Sequence, residues 1–316
     1  MTQALKSVEL SPKLATKSGR PLSIGVGTGT KVKDLKRADA SNSESIIQTL
    51  KLALDSGFFH VDTAECYTTH PEVAEALKRS SKKREDLFVV TKYIPPGNVF
   101  FEQKSTGAHN FVDLALEELG TDYLDAVLLH HPFFKPDIKP DLETAWKDLI
   151  EAKKLGKVRH IGVSNFRVED LKTISKISAI ETDNNASYQP AINQIEFHPY
   201  LQEQSPGIVK YCQENNILVE AYGPLTPLFR VKEEEKDHPL SGLLPELSAK
   251  YDRTPAQILL RYTLQKGILP ITTSSKEERI RQSLEVFDFS IDQADVDKID
   301  SVGSTYKLRT FFIGQF

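Results

Sequence analysis

Residues 58–67 read FFHVDTAECY, an apolar run that stops at the carboxylate of Asp62, with Tyr67 five positions later. A short apolar run with little alternation is typical of a parallel strand that is buried on both faces. A carboxylate is a costly residue with which to end such a strand unless a partner compensates its charge. The stretch therefore predicts a buried strand and poses the question of what Asp62 is for.

Seven similar runs lie along the chain, and helix patterns separate them. The eight predicted strands are residues 22–27, 58–62, 87–92, 124–130, 159–165, 191–196, 217–222 and 267–272. Strands that alternate with helices in this way predict a (β/α)8 TIM barrel, formed as a single domain over residues 1–316. An open doubly wound sheet is the alternative, but no glycine-rich fingerprint follows an early strand.

The predicted helices have readable ends. They cover residues 41–57, 71–82, 108–119, 141–156, 167–178, 206–215 and 276–286. Ser41 and Glu44 have the spacing of a capping box, and Gly57 stands where a C-terminal cap is expected. Outside the strand–helix repeat we expect an N-terminal hairpin at residues 8–20, long loops after strands four and seven (the latter at 223–245), and a C-terminal tail at 301–316.

Composition and charge exclude several classes of protein. The 316 residues carry a formal net charge of −4 with well-mixed signs, which predicts no nucleic-acid partner and no membrane-surface patch. The sequence shows no signal-peptide pattern and no run of about 18 apolar residues. Cys66 and Cys212 are far apart, so two buried free thiols in a reducing cytoplasm are expected rather than a disulfide. No metal site is predicted.

Polar residues collect at the ends of the predicted strands, where the active site of a barrel lies. Each could be a helix cap, a solvated side chain or a satisfied core residue when taken alone. Together they form a set with coherent chemistry. The strand-end residues are Asp62 and Tyr67, Lys92, His130, Ser164 and Asn165, Gln194 and Tyr222.

The first four of these residues suggest a proton-donating site. A free tyrosine has a pKa near ~10, which is high for proton exchange at neutral pH. An ammonium beside the phenol, here Lys92, is expected to lower that pKa, and Asp62 would hold the lysine charged and oriented. His130 would orient a carbonyl oxygen next to Tyr67. Such a site would protonate a carbonyl oxygen while a hydride arrives at the carbon.

The sequence resembles the aldo-keto reductases over essentially its whole length. The stretches that carry the resemblance are GFFHVDTAECY, VVTKY, LDAVLLHHP, GKVRHIGVSNF, NQIEFHPY, VEAYGPL and SSKEERIRQSLEVFDF. The resemblance implies a barrel, NADPH as cofactor, a small carbonyl substrate, a cytoplasmic monomer, and a catalytic tetrad of Asp62, Tyr67, Lys92 and His130.

The resemblance also implies where the cofactor lies. Ser164, Asn165 and Gln194 would hold the nicotinamide carboxamide, with the Tyr222 ring stacked on the nicotinamide and Thr28 nearby. A helix N-terminus attracts anions, and Ser274, Ser275 and Lys276 can donate at the start of the last predicted helix. The resemblance places the adenosine 2′-phosphate against Arg279 and these neighbours.

Three positions depart from the pattern of many relatives. Residues 271–274 read ITTS where many have IPKS, so Thr273 stands in place of a lysine. Gly29 and His131 stand where many have tryptophans. These departures point away from aldose reductases and towards a fungal branch that reduces α-keto amides, ketopantoyl lactone and conjugated polyketones. They also predict a wider and more polar substrate mouth.

Three functions compete at this point. The first is an NADPH-dependent carbonyl reductase of activated ketones, with an aldose- or xylose-type aldehyde reductase as a variant. The second is a cofactor-binding barrel that serves as a regulatory subunit, as in the β subunits of potassium channels, which would expose a large apolar patch. The third, an isomerase or aldolase barrel, would need different strand-end residues. The tetrad does not separate the first from the second, because such subunits also keep it, but the charged patterns of the exposed helix faces favour the enzyme.

Overall fold

Eight parallel strands form a closed barrel in the computed structural model of the protein, which describes residues 10–97, 101–181, 187–235 and 237–316. The strands are β1 (Gly25–Gly27), β2 (His60–Asp62), β3 (Phe88–Tyr93), β4 (Leu124–Leu129), β5 (Val158–Ser164), β6 (Ile192–Glu196), β7 (Leu218–Tyr222) and β8 (Leu269–Thr272). Each strand pairs with the next in chain order, and β8 pairs back with β1. The predicted barrel is confirmed, and the open-sheet alternative is wrong.

The strands are apolar because nearly all of their residues are buried. Every residue of β3 and β4 is buried, with side chains alternating between the barrel interior and the surrounding helices. Parallel strands require a crossover after each one, and helices cover the outer face. In consequence all eight carboxyl ends open on the same side of the barrel.

The helices alternate with the strands. Within the described residues they are α1 (Lys31–Ala38), α2 (Ser43–Ser56), α3 (His70–Arg79), α4 (Ala108–Leu119), α5 (Leu142–Lys154), α6 (Val168–Ile180), α7 (Ile208–Glu214), α8 (Thr226–Phe229), α9 (Leu240–Tyr251), α10 (Pro255–Gln265), α11 (Glu277–Leu284) and α12 (Gln293–Ser304).

One of the two predicted ends of helix α2 is confirmed. Gly57 caps its C-terminus with φ +127°, a conformation that only glycine adopts without strain. The capping box at Ser41 and Glu44 is wrong, because Asn42 is the N-cap and no side-chain cap forms. Glu44 instead accepts hydrogen bonds from the exposed side chains of Gln48 and Arg79.

The long loop predicted at 223–245 is partly helical. Helix α8 and the start of α9 fall within it, because Leu240, Leu243, Leu244 and Leu247 form a buried stripe at helical spacing. Helices α1, α10 and α12 have no counterpart among the predicted helices, although α10 begins with a capping box. The first residues of the expected tail belong to α12.

The N-terminal hairpin is present and lies below the barrel, opposite the strand carboxyl ends. Ala15 and Pro21 form an antiparallel bridge, while residues 8 and 9 of the predicted hairpin lie outside the described part of the chain. Arg159, at the start of β5, donates to the carbonyl of Ala15 and to the buried carboxylate of Asp125 at the start of β4. Arg159 therefore connects the hairpin to the strands at the amino-terminal end of the barrel.

Both cysteines are free thiols, as predicted, although only Cys212 is fully buried and Cys66 is half-buried. Of the helices that the structure describes, none is long and apolar enough to span a membrane.

Candidate active site

The four residues predicted to act together meet at the carboxyl end of the barrel. Asp62 ends β2, Tyr67 follows in a short 3₁₀ turn, Lys92 lies near the end of β3, and His130 comes directly after β4. The Lys92 Nζ donates to Asp62 Oδ2 at 2.6 Å and to the carbonyl of Thr63 at 2.9 Å. Lys92 is fully buried, so Asp62 is its counter-ion.

The phenol of Tyr67 lies between the lysine and the histidine. Lys92 Nζ is 5.2 Å from the Tyr67 ring centroid, and the His130 ring meets that ring edge-on at 5.7 Å. Burial, followed by the charge of Asp62, raises the pKa of Tyr67 well above its ordinary value. The expectation of a lowered pKa is wrong, because burial of the phenol is the largest effect and the negative charge of Asp62 adds to it. The hydroxyl therefore stays protonated at neutral pH and can donate.

His130 is a neutral imidazole in this site. Burial, followed by the charge of Lys92, lowers its pKa well below the usual value. Its Nδ1 lies 3.6 Å from the Sγ of Cys66, and burial raises the pKa of that thiol to about 11. A thiol that donates to Nδ1 leaves the ring proton on Nε2, where it can be donated to a ligand oxygen. One feature of the sequence indicates a role for Cys66, namely its position directly before Tyr67.

The predicted nicotinamide-binding residues also come together, in a hydrogen-bonded network beside the tetrad. Tyr222 donates its hydroxyl to Asn165 Oδ1 at 2.6 Å, and Asn165 Nδ2 donates to Ser164 Oγ at 3.0 Å and to the carbonyl of His130 at 2.9 Å. Ser164 Oγ donates to the carbonyl of Gln194 at 2.8 Å. These bonds fix the side chains that would face a nicotinamide.

Thr28 and Gly29 lie against the tetrad from the end of β1. Thr28 is fully buried, and its backbone N–H and its hydroxyl both point to the carbonyl of Asp62, at 2.9 and 3.2 Å. A direct contact of Thr28 with a cofactor stays a prediction. A Cβ added to Gly29 would lie 2.7 Å from the Tyr67 hydroxyl oxygen. Gly29 is thus the backbone surface on which the phenol rests.

The predicted phosphate site lies at the start of α11. Ser274 Oγ accepts from the backbone N–H of Lys276 at 3.1 Å, and Arg279 is exposed one turn into the helix. A residue that was missed joins them: Lys31, at the start of α1, donates to Ser275 Oγ at 2.7 Å. Lys31 and Thr273 line the same small cavity, together with Ser274 and Ser275.

The rim of the barrel mouth carries a cluster of aromatic rings. His131 stacks on Phe133 at 5.3 Å between centroids and meets Phe312 edge-on at 5.8 Å. Phe316 packs on Phe133 at 5.7 Å. The C-terminal tail supplies rings that the strand-end sequence did not reveal, and the expectation of a wider, more polar mouth stays a prediction. We call His131, Phe133, Phe312 and Phe316 the aromatic wall.

The tail is attached through its backbone to a buried carboxylate at the end of β6. Glu196 accepts hydrogen bonds from the N–H groups of Thr310 at 2.8 Å and Phe311 at 3.1 Å. The Phe311 ring meets Tyr222 edge-on at 5.3 Å. The tail thus links the aromatic wall to the predicted nicotinamide side of the site.

A family model described as the aldo/keto reductase family matches residues 23–304. The chain belongs to the aldo-keto reductase family. It is 42% identical over 290 residues to an NADPH-dependent alpha-keto amide reductase of Saccharomyces cerevisiae, covering 91% of this chain and 89% of the relative. It is 36% identical over 287 residues to an NAD/NADP-dependent indole-3-acetaldehyde reductase of Schizosaccharomyces pombe, covering 91% and 93%.

Solved aldo-keto reductase structures share the fold. An aldo-keto reductase of Bombyx mori in complex with NADP matches with a TM-score of 0.75 at 28% identity, over 96% of each chain. The family and the barrel are therefore shown by sequence and by structure alike. Among the described residues, no cluster of His, Cys, Asp and Glu could hold a metal ion.

Gly29→Ala should displace the Tyr67 phenol, because the new methyl group would occupy the space of the ring. Misplacing a reacting group by about 1 Å can cost roughly a hundredfold in rate. We therefore expect kcat to fall about tenfold to a hundredfold with little loss of thermal stability. Gly242→Ala is the matched control, because a Cβ there meets nothing within 4 Å. Equal kcat in the two variants would contradict the assigned contact.

Proposed function

We propose that the protein is an NADPH-dependent carbonyl reductase that converts activated ketones to alcohols. The observation that carries this proposal is the buried Lys92–Asp62 ion pair beneath the phenol of Tyr67 and beside the neutral imidazole of His130. Two donors, the phenol O–H and an imidazole N–H, converge where a carbonyl oxygen can bind. The names of the two yeast relatives support the same reaction class.

The two donors divide the work on the substrate oxygen. His130 donates a hydrogen bond from Nε2 and orients the carbonyl. Tyr67 transfers its hydroxyl proton as negative charge develops on that oxygen, so that the product is a neutral alcohol. Lys92 stabilises the resulting phenolate, and Asp62 keeps the lysine charged in a buried position. The phenol then regains a proton from solvent.

The residues at the barrel mouth fit a nicotinamide cofactor. When bound, NADPH supplies the hydride that the carbonyl carbon accepts. Gln194 and Asn165 would hold the carboxamide, and the Tyr222 ring, fixed by its hydroxyl, offers a flat face for the nicotinamide. Thr28 would lie close to the same part of the cofactor, because its backbone N–H and its hydroxyl contact the carbonyl of Asp62. The name of the Saccharomyces cerevisiae relative supports NADPH.

The far end of the cofactor would bind at α11. Ser274, Ser275 and Lys276 offer donors at its N-terminus, and Arg279 offers a guanidinium. Lys31 adds a third cation, which donates a hydrogen bond to Ser275 Oγ. We infer that Lys31 takes the place of the lysine that is missing at Thr273 and binds the 2′-phosphate.

The aromatic wall favours substrates with a second oxygen or a planar group. His131 Nδ1 accepts from the backbone N–H of Phe133 at 3.2 Å. Burial lowers the pKa of His131 to about 4, so the ring is neutral and its proton lies on Nε2. That N–H can donate to the second oxygen of a dicarbonyl, a keto amide or a ketolactone, and the flat Phe rings can stack on a planar substrate.

The same rings support a second candidate substrate class, aryl-substituted aldehydes. The Schizosaccharomyces pombe relative is a reductase of an indole acetaldehyde, and an indole ring would stack on the aromatic wall. By contrast, nothing in the described surface favours a regulatory-subunit role. Its exposed large hydrophobic residues lie on separate segments: Leu155, Ile180, Phe229 and Ile313.

Tyr67→Phe should leave NADPH binding nearly unchanged and lower kcat by a factor of about a hundred or more, the usual scale of a general acid. The phenyl ring keeps the shape of the site and removes only the proton. NADPH affinity from fluorescence quenching and kcat from absorbance would separate the two effects. Retention of more than about a tenth of wild-type kcat would mean that another group is the acid.

His131→Phe should lower kcat/KM for dicarbonyls about threefold to tenfold, the value of one hydrogen bond, because it removes the Nε2 donor and keeps the stacked ring. Activity on a matched aldehyde with one oxygen should change less than about twofold. The panel contains an α-keto amide, ketopantoyl lactone, isatin, indole-3-acetaldehyde and xylose. A wild-type preference for xylose would overturn the proposed substrate class, and a wild-type preference for the indole aldehyde would select the second one.

Lys31→Met should weaken binding of 2′,5′-ADP and NADPH about tenfold and leave 5′-AMP and NADH nearly unchanged, because a charge-assisted bond to the 2′-phosphate is lost. Arg279→Ala should have the same selectivity. Adding Thr273→Lys to Lys31→Met should restore 2′,5′-ADP affinity in calorimetric titrations. Equal losses for the phosphorylated and unphosphorylated ligands would show that neither cation reads the 2′-phosphate.

A further inference from the structure

A second carboxylate lies inside the barrel beneath the tetrad. Glu220, in the middle of β7, is fully buried. Its Oε2 accepts from Gln194 Nε2 at 2.9 Å, and the same Gln194 nitrogen donates to Asp62 Oδ2 at 2.8 Å. One amide group therefore joins two carboxylates, and only one of them belongs to the tetrad.

The other side of Glu220 faces a histidine that is also fully buried. His60 Nε2 lies 3.5 Å from Glu220 Oε1, beyond a good hydrogen bond for fixed atoms. Glu220 Oε1 and both ring nitrogens of His60 have no other hydrogen-bond partner among the described residues. A proton on Oε1 that points at His60 Nε2 would give each of these atoms a partner, in a hydrogen bond that is weak at 3.5 Å.

The charges of this cluster lead to the same arrangement. Among the residues that the structure describes, the ionisable groups around Glu220 are His60 and Asp62 on β2 and Lys92 on β3. Lys92 is the one ammonium, and it is paired with Asp62 at 2.6 Å. A second ionised carboxylate would be a buried charge without a counter-ion, which is strongly disfavoured. A neutral Glu220 leaves the cluster balanced.

We propose that Glu220 is a positioning residue that is held as a neutral carboxylic acid and fixes the orientation of the Gln194 amide. Its Oε2 accepts from Gln194, and its Oε1 hydroxyl donates to His60. Both N–H groups of the Gln194 amide are then engaged, by Asp62 and by Glu220. The amide carbonyl is the end left to accept an N–H from the nicotinamide carboxamide. This last step rests on the proposed cofactor site.

Asp62 and Glu220 both accept hydrogen bonds from the Gln194 nitrogen, and so they fix which end of the amide faces them. Without Glu220, one of these two acceptors is lost. The reversed amide would present N–H groups to the carboxamide N–H and would repel it. Burial, followed by the charge of Asp62, raises the pKa of Glu220 to about 8, and burial lowers the pKa of His60 to about 3. Both shifts agree with a neutral pair at neutral pH.

Two substitutions separate the acceptor from the charge. Glu220→Gln reproduces the neutral acid, with one oxygen to accept from Gln194 and one N–H group to donate to His60. Glu220→Leu removes the acceptor at similar volume. We expect Glu220→Gln to bind NADP⁺ like the wild type and Glu220→Leu to bind it about threefold to tenfold more weakly, the value of one hydrogen bond.

The 3-acetylpyridine analogue of NADP⁺ is the matched ligand, because it keeps the ring carbonyl and lacks the amide N–H. Its affinity should change less than about twofold in Glu220→Leu. Equal losses for both ligands, or a loss in Glu220→Gln as large as in Glu220→Leu, would overturn the positioning role. If the wild type itself binds the two ligands equally, the contact of Gln194 with the carboxamide fails, which is a failure of the proposed cofactor site.

The protonation state of Glu220 can be tested in the absence of cofactor, by comparing the wild type with Glu220→Gln alone. The infrared carbonyl band of a protonated carboxylic acid should be present in the wild type at neutral pH and weaker in Glu220→Gln. In the folded protein Glu220 keeps its proton up to a pH of about 8, whereas in the unfolded chain it loses the proton above its ordinary pKa of 4.5. The wild type therefore loses stability as the pH rises from 4.5 to about 8. The Tm of Glu220→Gln minus that of the wild type should therefore increase over this range and then level off. A difference independent of pH, with no infrared change, would show that Glu220 is ionised.

Discussion

The buried ion pair between Lys92 and Asp62 is the constraint on which the site depends. A lone ammonium at full burial would lose its proton or open the barrel to water, so the two residues must be present together. They come from neighbouring strands whose register the closed barrel sets. Gln194 donates to Asp62, Lys92 lies against the Tyr67 ring, and His130 meets that ring edge-on. The chemistry of the site is therefore a consequence of how the core compensates one charge.

Much of the barrel could be predicted, because each strand is a short apolar run that is buried on both faces. The convergence of Asp62, Lys92 and His130 followed from the strand ends alone. The direction of the Tyr67 pKa shift did not follow from the strand ends. It depends on how deeply the phenol is buried and on the charge of Asp62 beside it. Neither quantity is a property of the residue pattern.

The features that were not predicted are mostly contacts between segments that are far apart in the sequence. Lys31 and Ser275 are 244 positions apart, and nothing in either local sequence indicates that they touch. Helix α9 was masked by the charged run before it and by Pro245 within it. The aromatic wall could not be foreseen either, because Phe312 and Phe316 reach Phe133 only after the tail folds back.

The attachment of the tail has an evolutionary consequence. Glu196 binds the backbone N–H groups of Thr310 and Phe311, which every residue except proline possesses. Side chains on the tail can therefore be exchanged while its anchorage persists. Substrate range in a lineage of such enzymes can drift through substitutions at residues 310–316, with the reaction centre unaltered.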